Sequence, residues 1–368
     1  MAEVTLPNDS FAYGELERKY NDFMAPTAKV RVDGKDVEAE GMALGTVRVD
    51  MSALAESDAA VFSIMNAYDM VDRRFRWLDK FKLGGTVEVD LGYMDKLTTV
   101  YFGYITSIRH DFPPESPPQL IVTAMDASFK MMRGHKAKTW TNQKVSDVVK
   151  QIAADYGIQT AEVDDTGAKL PTIAKNNISD FNFLRNLALS LNYEFFVVGK
   201  KLYFRKKIGD KSFGLTLKYL STLRSLLLDH SLSEQVTKVE VRGWDAAQKK
   251  PIVGTSSGGS FNKTGGGSKT GPDLLKAAFM ELPETIYANV SSQDEATKLA
   301  NAIWNERGLR FVQGEGECVG VPELRAGRFI KLEGLSPELD QAYYVVRAVH
   351  TLDTSGYRTQ FQIQGNVV

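Results

Sequence analysis

Gly85-Thr-Val-Glu-Val-Asp-Leu-Gly92, followed by Tyr101-Phe-Gly-Tyr-Ile-Thr-Ser-Ile108 and then by residues 120–125, has a counterpart far along the same chain. The counterpart is Gly327-Arg-Phe-Ile-Lys-Leu-Glu-Gly334, followed by Tyr343-Tyr-Val-Val-Arg-Ala-Val349 and by residues 359–364. Gly85 to Tyr101 and Gly327 to Tyr343 span the same sixteen positions. Val87, Val89 and Leu91 fall on one face of an extended chain, the period of a half-buried strand. Any two antiparallel β units share such features. Read as a true repeat, the pair predicts a duplicated β-barrel with a mixed domain between the copies.

Working outward, residues 1–25 read as an N-terminal arm and residues 26–128 as the first β-barrel domain. In the latter, Val47, Val49 and Met51 alternate, as do Ala60, Phe62 and Ile64. Gly, Pro and Asp punctuate these short runs, the pattern of antiparallel strands in a barrel or sandwich. Residues 129–222 read as a mixed α/β domain. Val145, Val148, Val149, Ile152 and Tyr156 share one helical face, and Gly157 supplies a stop. Ser179 can cap a second helix carrying Phe181, Leu184, Ala188 and Leu191. A hairpin then turns at Gly199-Lys200. Residues 223–368 read as the second β-barrel domain, with two insertions. One is a Gly/Ser-rich loop at 254–272, whose stretch 255–271 is too polar to order itself. The other is a helix at 292–307, opened by the capping pair Ser292 and Glu295 and ended by Gly308. The predicted fold class is therefore mixed α+β and β-dominated, with two similar antiparallel β-barrel domains flanking an α/β domain.

With 368 residues, the chain is long enough for two or three domains with real cores. Lys and Arg number 45 and Asp and Glu 46, so the net charge of -1 gives no general attraction to nucleic acid. The one cysteine, Cys318, excludes an intrachain disulfide. No run of eighteen apolar residues predicts a membrane span, and residues 1–11 lack the basic and apolar regions of a signal peptide.

The motifs that suggest chemistry are weak. Gly254-Thr-Ser256-Ser-Gly258 matches the nucleophile pattern of serine hydrolases, but further loop residues follow where a helix is needed. His350 lies downstream with nothing predicted to orient it. The run 265–270 resembles a phosphate-binding loop, yet Ser268 replaces the glycine required before Lys269. His110, His135, His230 and His350 lack metal-ligand spacing. Lys200, Lys201, Lys206 and Lys207 flank the hairpin and read as a solvated strand edge. No catalytic, cofactor or metal residue is assigned. A helical face of Leu16, Tyr20 and Phe23 is a candidate docking arm, with packing on its own barrel as the alternative. Ser256, Phe261 and Lys263, in the polar loop, are candidate partner contacts that order against a neighbour or stay mobile.

The order of five segments resembles the phage late-control D family, the baseplate hub proteins of contractile tails, and the N-terminal hub module of type VI secretion spike (VgrG) proteins. The segments begin at Phe81, Trp140, Asn177, Val239 and Ala326, and the likeness covers about residues 26–365. The resemblance implies a homotrimer of chains with two barrels each, giving a ring of approximate sixfold symmetry. That ring would join a hexameric tail tube to a trimeric central spike. It implies as partners the tube and spike proteins, with other baseplate proteins and the tape measure protein beside them, and no cofactor, membrane or specific nucleic acid. It implies assembly in the bacterial cytoplasm and residence in the baseplate of a virion or injection particle. The chain ends at Val368, just past the second predicted barrel, so the spike is expected to be a separate polypeptide. Two other classes stay open: a serine or cell-wall hydrolase, and a receptor-binding β protein of a tail, for which Trp77, Trp140, Trp244 and Trp304 are candidate contacts.

Overall fold

The computed structural model describes residues 4, 6, 10–167, 169–207, 213–245, 248–256 and 261–368. Helix α1 (Tyr13–Lys19) leads into β1 (Pro26–Val32), β2 (Lys35–Asp36), β3 (Leu44–Ser52) and β4 (Ala59–Ile64). A two-rung hairpin of β5 (Tyr68–Asp69) and β6 (Arg74–Phe75) precedes β7 (Thr86–Tyr93), β8 (Lys96–Asp111) and β9 (Gln119–Met125). The middle part holds β10 (Lys136–Gln143), α2 (Val145–Asp155), β11 (Gln159–Val163), β12 (Leu170–Ile178), α3 (Asp180–Leu191), β13 (Tyr193–Val198) and β14 (Lys201–Lys206). After it come β15 (Phe213–Lys218), β16 (Leu223–His230), β17 (Lys238–Asp245), β18 (Lys250–Thr255), α4 (Gly271–Phe279), β19 (Pro283–Tyr287) and α5 (Gln293–Leu309). The chain finishes with β20 (Val312–Val319), β21 (Phe329–Glu333), β22 (Ala342–Asp353) and β23 (Gly356–Gly365).

Thirteen strands form one sheet in the order β16-β20-β23-β22-β3-β4-β9-β8-β7-β1-β2, with β21 and β15 branching from β22. The sheet contains the same unit twice. Six strands of the first half, β1, β3, β4, β7, β8 and β9, lie in the order first, fourth, fifth, sixth, third, second. Six strands of the second half, β15, β16, β20, β21, β22 and β23, lie in that same order. All neighbours within the units are antiparallel except the first pair of the second unit, where β15 runs parallel to β21.

The likeness extends to single residues. In the first unit Thr106 is an extra residue between Ile105 and Ser107, which face Ala124 and Thr123 on β9. In the second unit Val346 is the extra residue between Val345 and Arg347, which face Ile363 and Gln362 on β23. A β-bulge at the same place in both copies is a feature of the fold, since a bulge fixes local register and twist. The bulges also correct the register read from the sequence. Gly84 bonds Ile105 as Gly327 bonds Val345, so Gly84, not Gly85, is the counterpart of Gly327.

The two predicted barrels are not separate bodies, and among the described residues no strand pairing closes either unit. The reason is that the free edge of β3 is taken by the other unit. β3 pairs with β22 from Arg347↔Ser52 to Leu352↔Val47. Arg347 donates from Nε and one terminal nitrogen to the two oxygens of Asp50, both at 2.8 Å, and clamps this seam. One apolar core runs beneath both units, from Val49, Phe62 and Val122 to Phe329, Val345 and Phe361. β15 joins this sheet as well, although the sequence places residues 213–218 in the mixed domain.

The middle part has its own core, including Trp140, Val149, Phe181, Leu184 and Phe204. Trp140 stacks on Phe183 with centroids 5.5 Å apart. Val145, Val148, Val149 and Ile152 are buried on α2 as their spacing predicts, and Ser179 accepts the Asn182 N–H to cap α3. β14 is the central strand of the sheet β11-β14-β13, so the lysines around the hairpin do not guard an edge. A third small core lies where α5 packs on the sheet β18-β17-β19, through Val239, Val241, Ile252, Ala296, Ala300 and Trp304. Ser292 caps α5 by accepting the Glu295 N–H.

Candidate functional site

The proposed docking face of the N-terminal arm is turned onto the chain's own sheet. Leu16 and Tyr20 are fully buried, and Phe23 packs edge-on against Tyr93 with centroids 5.4 Å apart. The Tyr20 hydroxyl donates to Glu323 Oε1 at 2.6 Å, and Lys19 Nζ reaches the same oxygen at 2.6 Å. An amphipathic pattern says that one helix face is covered, not what covers it.

The polar loop is likewise used internally. Ser256 Oγ accepts the Val239 N–H at 2.9 Å, and the Ser256 N–H donates to the Val239 carbonyl at 2.9 Å. These bonds extend the β17–β18 ladder, and no described histidine or carboxylate is hydrogen-bonded to that hydroxyl. Ser257 and Gly258 of the hydrolase-like pattern lie outside the described residues. His350 is buried on β22 with Nε2 3.0 Å from the Leu324 carbonyl. A carbonyl only accepts, so Nε2 carries the proton and Nδ1 accepts from Tyr357 Oη at 2.8 Å and Thr359 Oγ1 at 3.0 Å. Burial pulls its pKa down to about 3, so the ring is neutral and locked in place.

Mobility, expected over residues 255–271, does not hold for the described residues 261–271. Phe261 packs on Trp304 with centroids 4.9 Å apart. Gly308 leaves it room, since a Cβ there would lie 2.4 Å from the Phe261 ring. Asn366 Oδ1 accepts the Thr264 N–H at 2.8 Å, and Asn366 Nδ2 donates to the Asn262 carbonyl at 2.6 Å. Lys263 Nζ is exposed and donates to the Ser268 carbonyl at 3.2 Å. Lys269 and Val368 exchange backbone bonds at 3.1 and 3.0 Å. Thr270 caps α4, and its hydroxyl donates to Asp273 Oδ2 at 2.6 Å. The Asp273 carboxylate thus occupies the helix N-terminus that a phosphate would need.

Buried charges sit where the parts of the chain meet. Arg325 donates to Asp58 at 2.6 Å and to the Val100 carbonyl at 2.8 Å, joining the two units. Asp126, at the entrance to the middle part, accepts the Asp58 N–H at 2.7 Å and the Ser128 N–H at 2.6 Å. Burial pushes both carboxyls up, against the pull of Arg325 on Asp58. Arg205 of the middle part donates to Glu194 at 2.5 Å, to Glu162 at 2.9 Å and to the Gly327 carbonyl at 2.7 Å. Tyr344 completes this group by donating to Glu194. Each guanidinium is spent on protein partners, the arrangement that makes a buried charge tolerable. Among the described residues no cluster of three His, Cys, Asp or Glu side chains could hold a metal ion. Among the described residues no helix is long and apolar enough to cross a membrane.

What remains open is a set of strand edges and surface aromatics. β16 is the terminal strand of the main sheet, and its Leu227 is 64% exposed. Phe112, at the end of β8, is 62% exposed. Of the four tryptophans, Trp140 and Trp304 are buried, Trp77 is half-buried and Trp244 is exposed. Trp244 and Tyr287 share the outer face of β17 and β19, beside Arg242. The edges are invisible to local sequence reading, because whether a strand is terminal depends on pairings hundreds of residues away.

Residues 24–354 match the family model described as Alg8 N-terminal domain. No curated protein matches the chain. Among solved structures, a 43 kDa tail protein of prophage MuSo2 from Shewanella oneidensis aligns over 92% of this chain and 98% of its own, at TM-score 0.70 and 13% identity. The tail protein from Neisseria meningitidis MC58 aligns over 92% and 96%, at TM-score 0.67 and 14% identity. An E. coli component of the type VI secretion system, itself described as similar to bacteriophage T4 tail proteins, aligns over 92% and 76%, at TM-score 0.58 and 12% identity. At these identities the likeness is one of fold. The resemblance to tail hub and type VI spike proteins holds at that level.

Proposed function

The chain belongs to the Alg8 N-terminal domain family, and from its tail-protein fold we propose that it is a structural baseplate hub subunit of a contractile phage tail or contractile injection system. Three copies form a collar of approximate sixfold symmetry that adapts a hexameric tail tube to a trimeric central spike. The two repeated units of each chain supply the two alike surfaces of that collar. The observation that carries this reading is the repeated strand order with its repeated bulge. A threefold object meets a sixfold one by offering two alike surfaces per chain. The partners are other copies, the tube protein and the spike protein, with other baseplate proteins and the tape measure protein nearby. The protein assembles in the bacterial cytoplasm and ends in the particle's baseplate. The role is structural and not enzymatic; in its support, Ser256 and His350 are both consumed by internal hydrogen bonds.

Electron microscopy of the purified chain mixed with tube and spike subunits tests the proposal. Threefold particles with a collar of near-sixfold appearance, bound to both partners, are expected. A strictly monomeric particle that binds neither partner overturns it.

One observation favours a second reading, a receptor-binding surface. Trp244 and Tyr287 are exposed side by side on an open sheet face, 61% and 81% accessible. Binding in a glycan screen that is lost in Trp244→Ala would establish it, and no binding would dismiss it.

A further inference from the structure

The seam between the two units inside one chain has an unused counterpart on the surface. Inside the chain, the edge strand β3 of the first unit lies against the C-terminal half of β22. The N-terminal end of β22 is held on that same side by β21, through Ala342, Tyr343 and Tyr344. The matching strands are β16, for β3, and β8, for β22. β8 pairs with β7 only as far as Tyr104, and Ile105 then bonds Gly84 and Gly85. Beyond that point residues 106–111 have β9 on one side and, among the described residues, no strand on the other. β16 is the terminal strand of the sheet. Each chain therefore carries one open edge of each kind.

We propose that β16 of one copy pairs antiparallel with the C-terminal half of β8 of the next copy, repeating the β3–β22 seam between chains. The proposal rests on the trimeric hub reading and names the surface that closes it. Three seams within chains and three between them then alternate around the ring. The interface is head-to-tail, and a rotation that closes at three leaves neither edge open.

The register follows from the repeat. The bulge residues Thr106 and Val346 are counterparts, so Ser107 stands for Arg347 and Arg109 for Val349. On the other strand, Val47 faces Phe62, which faces Val122, as Leu226 faces Gly316, which faces Phe361. Leu226 thus stands for Val47, Asp229 for Asp50 and Ser231 for Ser52. Inside the chain Arg347 faces Ser52, Val349 faces Asp50 and Leu352 faces Val47. Transferred, Ser107 faces Ser231, Arg109 faces Asp229 and Phe112 faces Leu226. The register was fixed by backbone pairing alone, yet it sets an arginine opposite an aspartate. Both are exposed, and neither makes an ion pair within the chain among the described residues. It also sets Phe112, which is exposed and packs edge-on against Tyr68 and Phe75 of the β5–β6 hairpin in its own chain, opposite Leu226.

The test joins crosslinking to charge reversal in the full chain. Facing residues of an antiparallel pair have Cβ atoms about 4.5–5.5 Å apart, close to disulfide reach. The native Cys318 is buried and does not compete. Oxidised R109C/D229C is expected to run as a three-chain species on a non-reducing gel, and neither single variant should do so. R109D or D229R alone should weaken trimer association at least tenfold, and R109D/D229R should restore it. Thermal melting of each variant confirms folding. A wild-type trimer with no crosslink in the double-cysteine variant, and with association unchanged by either reversal, overturns the seam and leaves the hub reading standing. A wild-type chain that is monomeric in every assembly assay overturns both.

Discussion

Gly84 and Gly327 do the same work in the two units. Each takes a left-handed backbone, with φ of +84° and +87°, and each donates its N–H to the residue before a bulge, Ile105 at 2.8 Å and Val345 at 2.9 Å. Their surroundings differ. A Cβ at Gly84 meets nothing within 4 Å, whereas one at Gly327 lies 2.9 Å from the Phe196 ring.

Gly84→Ala should therefore cost only backbone strain, about 1 kcal/mol. Gly327→Ala adds a clash with a ring packed in the core and should cost about 2–3 kcal/mol. Urea unfolding midpoints compare the two, and equal losses would contradict the assignment.

Arg325 joins the two units through Asp58 inside the protein. Arg325→Met should destabilise by about 3–5 kcal/mol, because it leaves a buried carboxyl without its cation. Adding Asp58→Asn should recover part of that loss, since the residual penalty is the unpaired acid. A double variant no more stable than the single one would mean that Asp58 is not the group left stranded.

His350 makes stability depend on pH with a definite sign. Its folded pKa lies near 3 against an ordinary 6.5, because burial disfavours the imidazolium. On acidification the unfolded chain takes up the proton first, so stability falls as pH drops from about 6.5 towards 3. Between pH 7 and pH 5 the loss from this one group is about 2 kcal/mol. His350→Gln should remove that component, and an unchanged pH slope would show that the ring is not held neutral.

Ser256→Ala should cost about 1 kcal/mol by removing the acceptor for the Val239 N–H. Ester and muropeptide cleavage by wild type and variant should be indistinguishable from background. A wild-type activity abolished by the substitution would reinstate a hydrolase.

The repeat was legible only as a shared pattern of glycine, aromatic and apolar residues across β7 to β9 and β21 to β23; the sixteen-position match of Gly85 and Tyr101 with Gly327 and Tyr343 is not the paired register, in which Gly84 stands for Gly327 and Gly103 for Tyr343. The other strands of the unit were not legible. Val49 on β3 and Leu228 on β16 hold matching places, but nothing in their neighbours connects them. The seam of Arg347 with Asp50 joins residues 297 positions apart, and such a pairing leaves no local trace. The helical face of Leu16 and Tyr20 was legible as a face to be covered, but not as one covered by Glu323 and the sheet. The glycines and serines of residues 261–271 read as a free loop because their anchor, Asn366, lies about a hundred positions away.

The seam between β3 and β22 also sets a timetable for synthesis. β3 leaves the ribosome early, while the strand that covers it follows some 300 residues later. At about 5–20 residues per second, the nascent first half waits on the order of 15–60 s with a bare ladder of N–H and C=O groups. During that wait the same edge could accept a strand from a neighbouring nascent chain, the entry to a swapped dimer. Only release of the C-terminal strands ends the exposure, so a chain truncated before residue 342 should be a substrate for chaperones instead of a smaller working part.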